Sequence, residues 1–224
     1  MSPVIAIDGT AACGKGTLAR RLASHYGFAH LDSGALYRLV ALGVIDAGED
    51  PSNVADAVRS ARRIDPAGVS DGRLRSVAVG EAASRVAALP EVRQAILQFQ
   101  RDFAARPPGG AKGAVIDGRD IGTVICPQAT AKLFIDARPE VRAQRRWLEL
   151  KGQNADTAPQ IAAVQAELLA RDARDRSRTA APLRQAEDAT LLDTSDLDIE
   201  AAFAKALELV NPSVEKALAA RPRG

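Results

Sequence analysis

The chain has few cysteines, no long apolar run and almost no excess of charge, and each shortage removes a class of protein. Its two cysteines, Cys13 and Cys126, cannot build a disulfide framework. They are expected as free thiols in a reducing compartment. No apolar run approaches the length of a membrane span, and "MSPVIAIDG" lacks the basic and long apolar regions of a secretory signal. A cytoplasmic protein without a membrane partner is therefore expected. A net charge of +2 gives no global pull towards nucleic acid, so any basic site must be local. The two histidines, His25 and His30, have no metal-binding spacing. What remains is 224 residues, 46% of them hydrophobic. That is enough for one α/β domain with an insertion or for two small domains, and a single domain over residues 1–224 is expected.

Five short apolar runs have the character of buried parallel strands: 4–8, 28–32, 114–117, 132–137 and 190–194. Each carries an aspartate at or next to its end. Ligands of doubly wound sheets sit at the carboxyl ends of strands, so these aspartates are site candidates. Capping of the following helix is the alternative reading. Helical patterns lie between the runs. One ends at Gly27, a second follows the second strand, and a helix-rich stretch covers 54–105 around an irregular piece at 65–76. Two more span 139–152 and 158–178, and a last one is expected at about 198–210. "RPPGGAKG" (106–113) breaks the chain before the third strand, and the tail from 215 is expected to fray. The alternation predicts a roughly five-stranded parallel sheet covered by helices on both faces.

The first strand runs into "GTAACGKGT", residues 9–17, and then a helix. A glycine-rich turn in that position offers backbone N–H groups and the positive end of a helix dipole to an anion. Gly9 and Gly14 let the loop curl, and Lys15 can reach terminal phosphates. Gly16 stands where the usual pattern has Ser or Thr, which moves the hydroxyl to Thr17. "GKGT" is similar to the loop of nucleoside monophosphate kinases rather than to that of GTPases. No N-K-x-D guanine motif follows.

Phosphoryl transfer to a phosphate needs positive charge and positioning more than a base. Arginine forks match phosphate oxygens, and here arginines cluster. Arg38 follows the second strand and Arg119 the third. Arg142, Arg145 and Arg146 share one helix, and Arg171, Arg174, Asp175 and Arg178 share a helical face by their offsets. Two solvated, salt-bridged helices are the alternative. Joined by "KGQNADTAP" beside a phosphate loop, the helices of 139–178 are expected to form a mobile lid.

"GTAACGKGT", "LDSGALYR", "AASRVAALPEVR", "QRDF", "VIDGRDIGTVICP", "KLFIDA", "RAQRR" and "RDARDRSRTAAPL" together resemble the bacterial cytidylate kinases, over about residues 3–210. The resemblance implies a phosphate-loop kinase fold that transfers the γ-phosphate of ATP to CMP or dCMP with Mg²⁺. It implies that Gly9, Thr10, Ala11, Ala12, Cys13, Gly14, Lys15, Gly16 and Thr17 surround the ATP phosphates. Thr17 would serve the metal, partly through water. Ser33, Ser84, Arg93 and Asp120 would surround the cytosine, and Arg38, Arg119 and Arg178 the acceptor phosphate. Arg171 and Asp175 would lie near the sugar. Lys15, Arg119, Arg146 and Arg178 would be the catalytic set. A kinase for UMP or for an alcohol such as shikimate, and a non-catalytic nucleotide-binding module, are the competing readings. A monomer is expected.

The sequence departs from the family in two places. "TAAC" fills the loop where Pro or Ser is more usual. Residues 64–79 are short where the family has extra strands, so the monophosphate-binding region at 54–105 is expected without a hairpin. Cys13, just before a helix N-terminus and near Lys15, is in a setting that activates thiols. It is expected to be open to modification that blocks ATP.

Overall fold

Alternating inward and outward apolar residues make Val4–Gly9 (β1) the central strand of a five-stranded parallel sheet. The computed structural model describes residues 2–153 and 159–220. The sheet order is β2-β3-β1-β4-β5, with β2 at Ala29–Asp32, β3 at Ala114–Gly118, β4 at Ala131–Asp136 and β5 at Thr190–Asp193. All five expected strands form, and every neighbouring pair is parallel. The register sets Asp32 beside Asp117, and Asp136 beside Asp193. The strand-end aspartates thus share one edge.

Helices cover both faces. Ile5, Ile7, Val115 and Leu133 pack against Lys15–Tyr26 (α1) and Ile199–Ala219 (α8). Ala6, Leu31 and Ile116 pack on the other side, with Ser33–Asp46 (α2), Val77–Val86 (α4) and Pro90–Ala105 (α5). Val54–Ala61 (α3) flanks them. Pro139–Gln153 (α6) and Ile161–Ser177 (α7) stand over the carboxyl edge of the sheet, with a small apolar cluster of their own. The caps obey local rules. Gly27 ends α1 at φ 65, while Asn53 and Ser76 cap α3 and α4 through their side chains.

Between α3 and α4 the chain makes two short 3₁₀ turns, Pro66–Ser70 and Gly72–Arg75, and no strand. The missing hairpin is thus replaced by turns anchored by buried Leu74. One expectation fails. The last helix does not stop near 210 but runs through Pro212 to Ala219. Proline removes one helical hydrogen bond. Buried Val210 and Val214 on either side, and the hydrogen bond that Tyr26 donates to Asn211, hold the continuation. Of the expected fraying tail, residues 221–224 lie outside the described residues, as does 154–158 of the link between α6 and α7. Among the described residues no helix is long and apolar enough to cross a membrane.

Candidate active site

The turn after β1 is shaped by positions that tolerate no side chain or sit in the left-handed region. A Cβ on Gly9 would lie 2.0 Å from the Ile135 carbonyl oxygen. Ala12 and Gly14 have φ 59 and φ 90. The loop therefore folds back over the N-terminus of α1, where the first N–H groups have no partner within the helix. The Lys15 ammonium donates to the Thr10 carbonyl at 3.0 Å. Its burial, with Arg119 next in weight, pushes its pKa down.

Six of the nine loop residues, Ala11, Ala12, Gly14, Lys15, Gly16 and Thr17, line a cavity of about 240 Å³. Arg38, Arg119, Arg146 and Arg171 line its other side. The remaining three loop residues support it from below. Gly9 lies against β4, and Thr10 donates its hydroxyl to Asp136 at 2.6 Å. Cys13 corrects the expectation of a reactive thiol. Its side chain is fully buried among Leu18, Leu22 and other core residues. The left-handed residues on either side of it, Ala12 and Gly14, leave that side chain in the core.

A second, narrower cavity of about 40 Å³ adjoins the first through Gly34, Gly118, Arg119 and Arg171. It is lined by Ser33, Ser84, Arg93, Asp120, Asp175 and Arg178, so the expected residues come together. Buried Arg93 pairs with buried Asp120 and also donates to the Ala87 carbonyl at 3.2 Å. Ser33 accepts from the Gln100 amide at 2.7 Å. The Ser84 hydroxyl and the Tyr37 hydroxyl are buried without a hydrogen-bond partner. Asp175 joins two arginines, accepting from Arg119 Nε at 2.9 Å and pairing with Arg178.

Positive charge exceeds negative charge across the two cavities. Burial pushes Arg171 down to about 9, aided by Arg119 and Arg38. Burial also lowers Arg38 and Arg178. The Nε groups of Arg171 and Arg178 are buried without partners. Burial opposes the Arg119 charge as well, but Asp175 holds its pKa above the ordinary value. Such a site is suited to an anion with several oxygens.

Oxygen donors suited to Mg²⁺ stand at the loop's edge. Thr17 and Asp117 both line the larger cavity, and a Cβ on Gly16 would lie 3.6 Å from Asp117 Oδ2. His30 holds the other Asp117 oxygen at 2.8 Å. Among the described residues no group of three His, Cys, Asp or Glu side chains forms a complete cage. Mg²⁺ bound beside phosphates keeps waters and needs few protein ligands, so this sparse set fits it. The capping alternative holds for Asp32, which accepts from the Ala35 N–H at 3.1 Å while also lining the cavity.

Asp8 was among the strand-end aspartates, but its role and those of Gln100 and Asp172 escaped the sequence reading. Asp8 accepts from the backbone N–H of Ile121 and of Gly122, each at 2.8 Å. It thereby fixes the turn at Ile121–Ile125 that follows Arg119 and Asp120. Burial pushes its pKa up to about 7 against those two bonds. Gln100 lay inside the quoted "QRDF" without a role. Arg174, expected on the same face as Arg171, Asp175 and Arg178, is exposed, and Asp172 is buried instead. Each helical residue advances about 100°. Arg174 and Asp172 therefore flank the Arg171–Asp175–Arg178 stripe on opposite sides, and only the Asp172 side meets α6.

A third cavity, about 610 Å³, lies behind the loop between Arg145, Leu18 and the segment from Thr194 to Ala202.

The family model described as cytidylate kinase matches residues 5–212. A cytidylate kinase of Rhodopseudomonas palustris is 55% identical over 209 residues, covering 92% of this chain and 95% of the relative. One of Nitrobacter winogradskyi is 53% identical over 207 residues, with 92% and 95% covered. The crystal structure of a shikimate kinase from Bacteroides thetaiotaomicron has the same fold at 14% identity and a TM-score of 0.50. It covers 94% of this chain and 99% of that one. The match over nearly the whole chain, with a phosphate loop facing an arginine-lined cavity, places the chain in the cytidylate kinase family and makes it a kinase.

Proposed function

We propose that this enzyme transfers the γ-phosphate of ATP to CMP and dCMP, giving CDP and dCDP. The observation that carries the reading is the pair of adjoining cavities with a surplus of buried positive charge. One cavity is lined by the phosphate loop. The other is lined by Ser33, Ser84, Arg93 and Asp120. Cytosine presents a ring acceptor, a carbonyl and an amino donor. Arginine, serine and carboxylate match that pattern. Arg38, Arg119 and Arg178 would hold the acceptor phosphate, and Arg171 and Asp175 the sugar. The third cavity, behind the loop, suits the nucleoside of ATP.

The acceptor is already an anionic nucleophile, so no base is needed. Lys15, Arg119, Arg146 and Arg178 would stabilise the charge on the moving phosphoryl group. Mg²⁺ held by Thr17, Asp117 and water would neutralise phosphate oxygens. Residues 54–105 would form the monophosphate-binding region and 139–178 the lid of one domain, acting as a monomer in the cytoplasm.

A coupled assay with ATP and CMP, dCMP, UMP or AMP tests the reading. Fastest turnover is expected with CMP or dCMP, and absence of CMP turnover or a preference for AMP overturns it. In the same assay Asp120→Asn is expected to narrow the CMP-over-UMP preference by roughly 10-fold or more, because an amide can donate to the uracil carbonyl.

A further inference from the structure

Ala11 belongs to the phosphate loop by sequence but to α6 and α7 by packing. Its methyl group joins a small apolar cluster whose other buried members are Ala143 of α6 and Val164 and Leu168 of α7. Trp147 packs at its margin. Neither of the larger clusters on the two faces of the sheet includes Ala11.

Polar contacts repeat the pattern. The Ala11 N–H donates to Asp172 Oδ1 at 3.0 Å, and the Ala11 carbonyl accepts from Arg142 Nη1 at 3.0 Å. The same Arg142 nitrogen donates to Asp172 Oδ2 at 2.5 Å, and Arg142 Nε donates to the Ala137 carbonyl at 2.9 Å. Both side chains are buried, Asp172 completely. One ion pair between α6 and α7 thus grips both hydrogen-bonding groups of a single loop residue. The next residue, Ala12, lies at φ 59, where an alanine is disfavoured and needs outside support. Arg145 adds a grip on the far side of the loop, donating to the Thr194 carbonyl at 2.7 Å and to the Cys13 carbonyl at 3.4 Å.

A buried ion pair is a poor way to gain stability alone, since apolar residues of similar volume often do as well. Apolar residues cannot satisfy the N–H and C=O of Ala11. We propose that Arg142 and Asp172 are positioning residues that set the triphosphate-binding shape of the loop, coupling the docking of α6 and α7 to occupancy of the loop. The inference rests on the reading of this loop as a triphosphate site. By linkage, a triphosphate that prefers the gripped loop also favours the docked helices. The root of the expected lid is then part of the loop's own core.

The test uses the full chain, a non-hydrolysable ATP analogue and CMP. Asp172→Asn keeps an acceptor for Ala11 and removes the charge that fixes Arg142. It is expected to weaken analogue binding about 10-fold or more while CMP binding changes less than about threefold. Hydrogen exchange at the Ala11 and Ala12 amides rises. The emission change of Trp147, the only tryptophan, on adding the analogue is diminished. Equal weakening of analogue and CMP, or unaltered analogue binding, overturns the coupling. If Asp172→Asn does not fold, Val164→Ala decides, because it trims the cluster without touching the polar grip. Faster Ala11 exchange with selectively weaker analogue binding supports the proposal, and unchanged exchange overturns it. Binding of the analogue by the unsubstituted protein, lost in Lys15→Met, is the control. Its failure overturns the loop reading itself, whereas its success with unaltered Asp172→Asn overturns only the coupling.

Discussion

Asp175 is the countercharge to two arginines of the second cavity, and Asp175→Asn measures how far they depend on it. The carboxylate is 1% exposed and faces Arg119 and Arg178. At about 4 Å and an effective dielectric of about 20, each pair is attracted by roughly 4 kcal/mol before desolvation is subtracted. Removing one partner of a buried pair costs about 3–5 kcal/mol, because the other charge is left alone. Here two arginines are left, and the amide nitrogen of the asparagine turns a donor towards one of them. For a domain of this size about 2–4 °C of melting temperature follows each kcal/mol, so a fall of roughly 6–20 °C is expected. Sulfate restores a countercharge to the same guanidiniums. It should raise the melting temperature of Asp175→Asn more than that of the unsubstituted protein. The pH dependence has a definite sign. Burial pushes the Asp175 carboxyl up, but Arg119, Arg178 and Arg171 together hold it below the usual range. Its stabilisation is therefore complete above the ordinary carboxylate pKa of about 3.9 and is lost as pH falls through the depressed value. The deficit of the variant should be constant near neutrality and shrink in acid. Thermal unfolding with and without sulfate, from about pH 8 down to about pH 2, where the depressed carboxyl is being protonated, reads all of this. Equal stability of the two proteins, or an equal sulfate response, would refute the reasoning.

Three further outcomes follow from single residues. Gly9→Ala puts a methyl 2.0 Å from the Ile135 carbonyl and should lower stability by more than about 4 kcal/mol, seen as loss of soluble protein or of cooperative melting. Cys13, fully buried, should resist alkylation in the native protein and react only on unfolding, which peptide mass mapping against Cys126 would show. Rapid native labelling at Cys13 would contradict the burial. Asp8, with its pKa raised to about 7 by burial, binds its proton more tightly folded than unfolded. Its contribution is full below its unfolded pKa and declines as pH rises to about 7, so Asp8→Asn should flatten the stability curve between about pH 4 and 7 in denaturant titrations.

How far the sequence reached depended on whether neighbours in space were also neighbours in a simple pattern. The five strands were legible because a buried parallel strand needs a short apolar run, and each run stopped at the aspartate edge that the register then aligned. The second cavity was legible as a set of residues only through resemblance to a family. Ser33, Ser84, Arg93 and Asp120 lie on different elements, and no periodicity links them. The failures have a common cause. Helical offsets picked out the stripe of Arg171, Asp175 and Arg178, but periodicity is symmetric about a stripe and cannot say which flank meets a partner. The face drawn from those offsets took in Arg174 and left out Asp172, although α6 and Ala11 lie on the Asp172 side. Cys13 failed for the same reason at smaller scale. Its place beside a helix N-terminus suggested an open thiol, but the dihedrals of Ala12 and Gly14 leave the side chain in the core. The last helix was expected to end near 210, just before Pro212, which removes one helical hydrogen bond. Val210, Val214 and the Tyr26–Asn211 contact outweigh it. In each case the local signal was real and a tertiary partner decided the outcome. The residues a sequence reading most easily misses here are therefore those, like Asp172, whose work is to hold another element's backbone rather than to face the cavity.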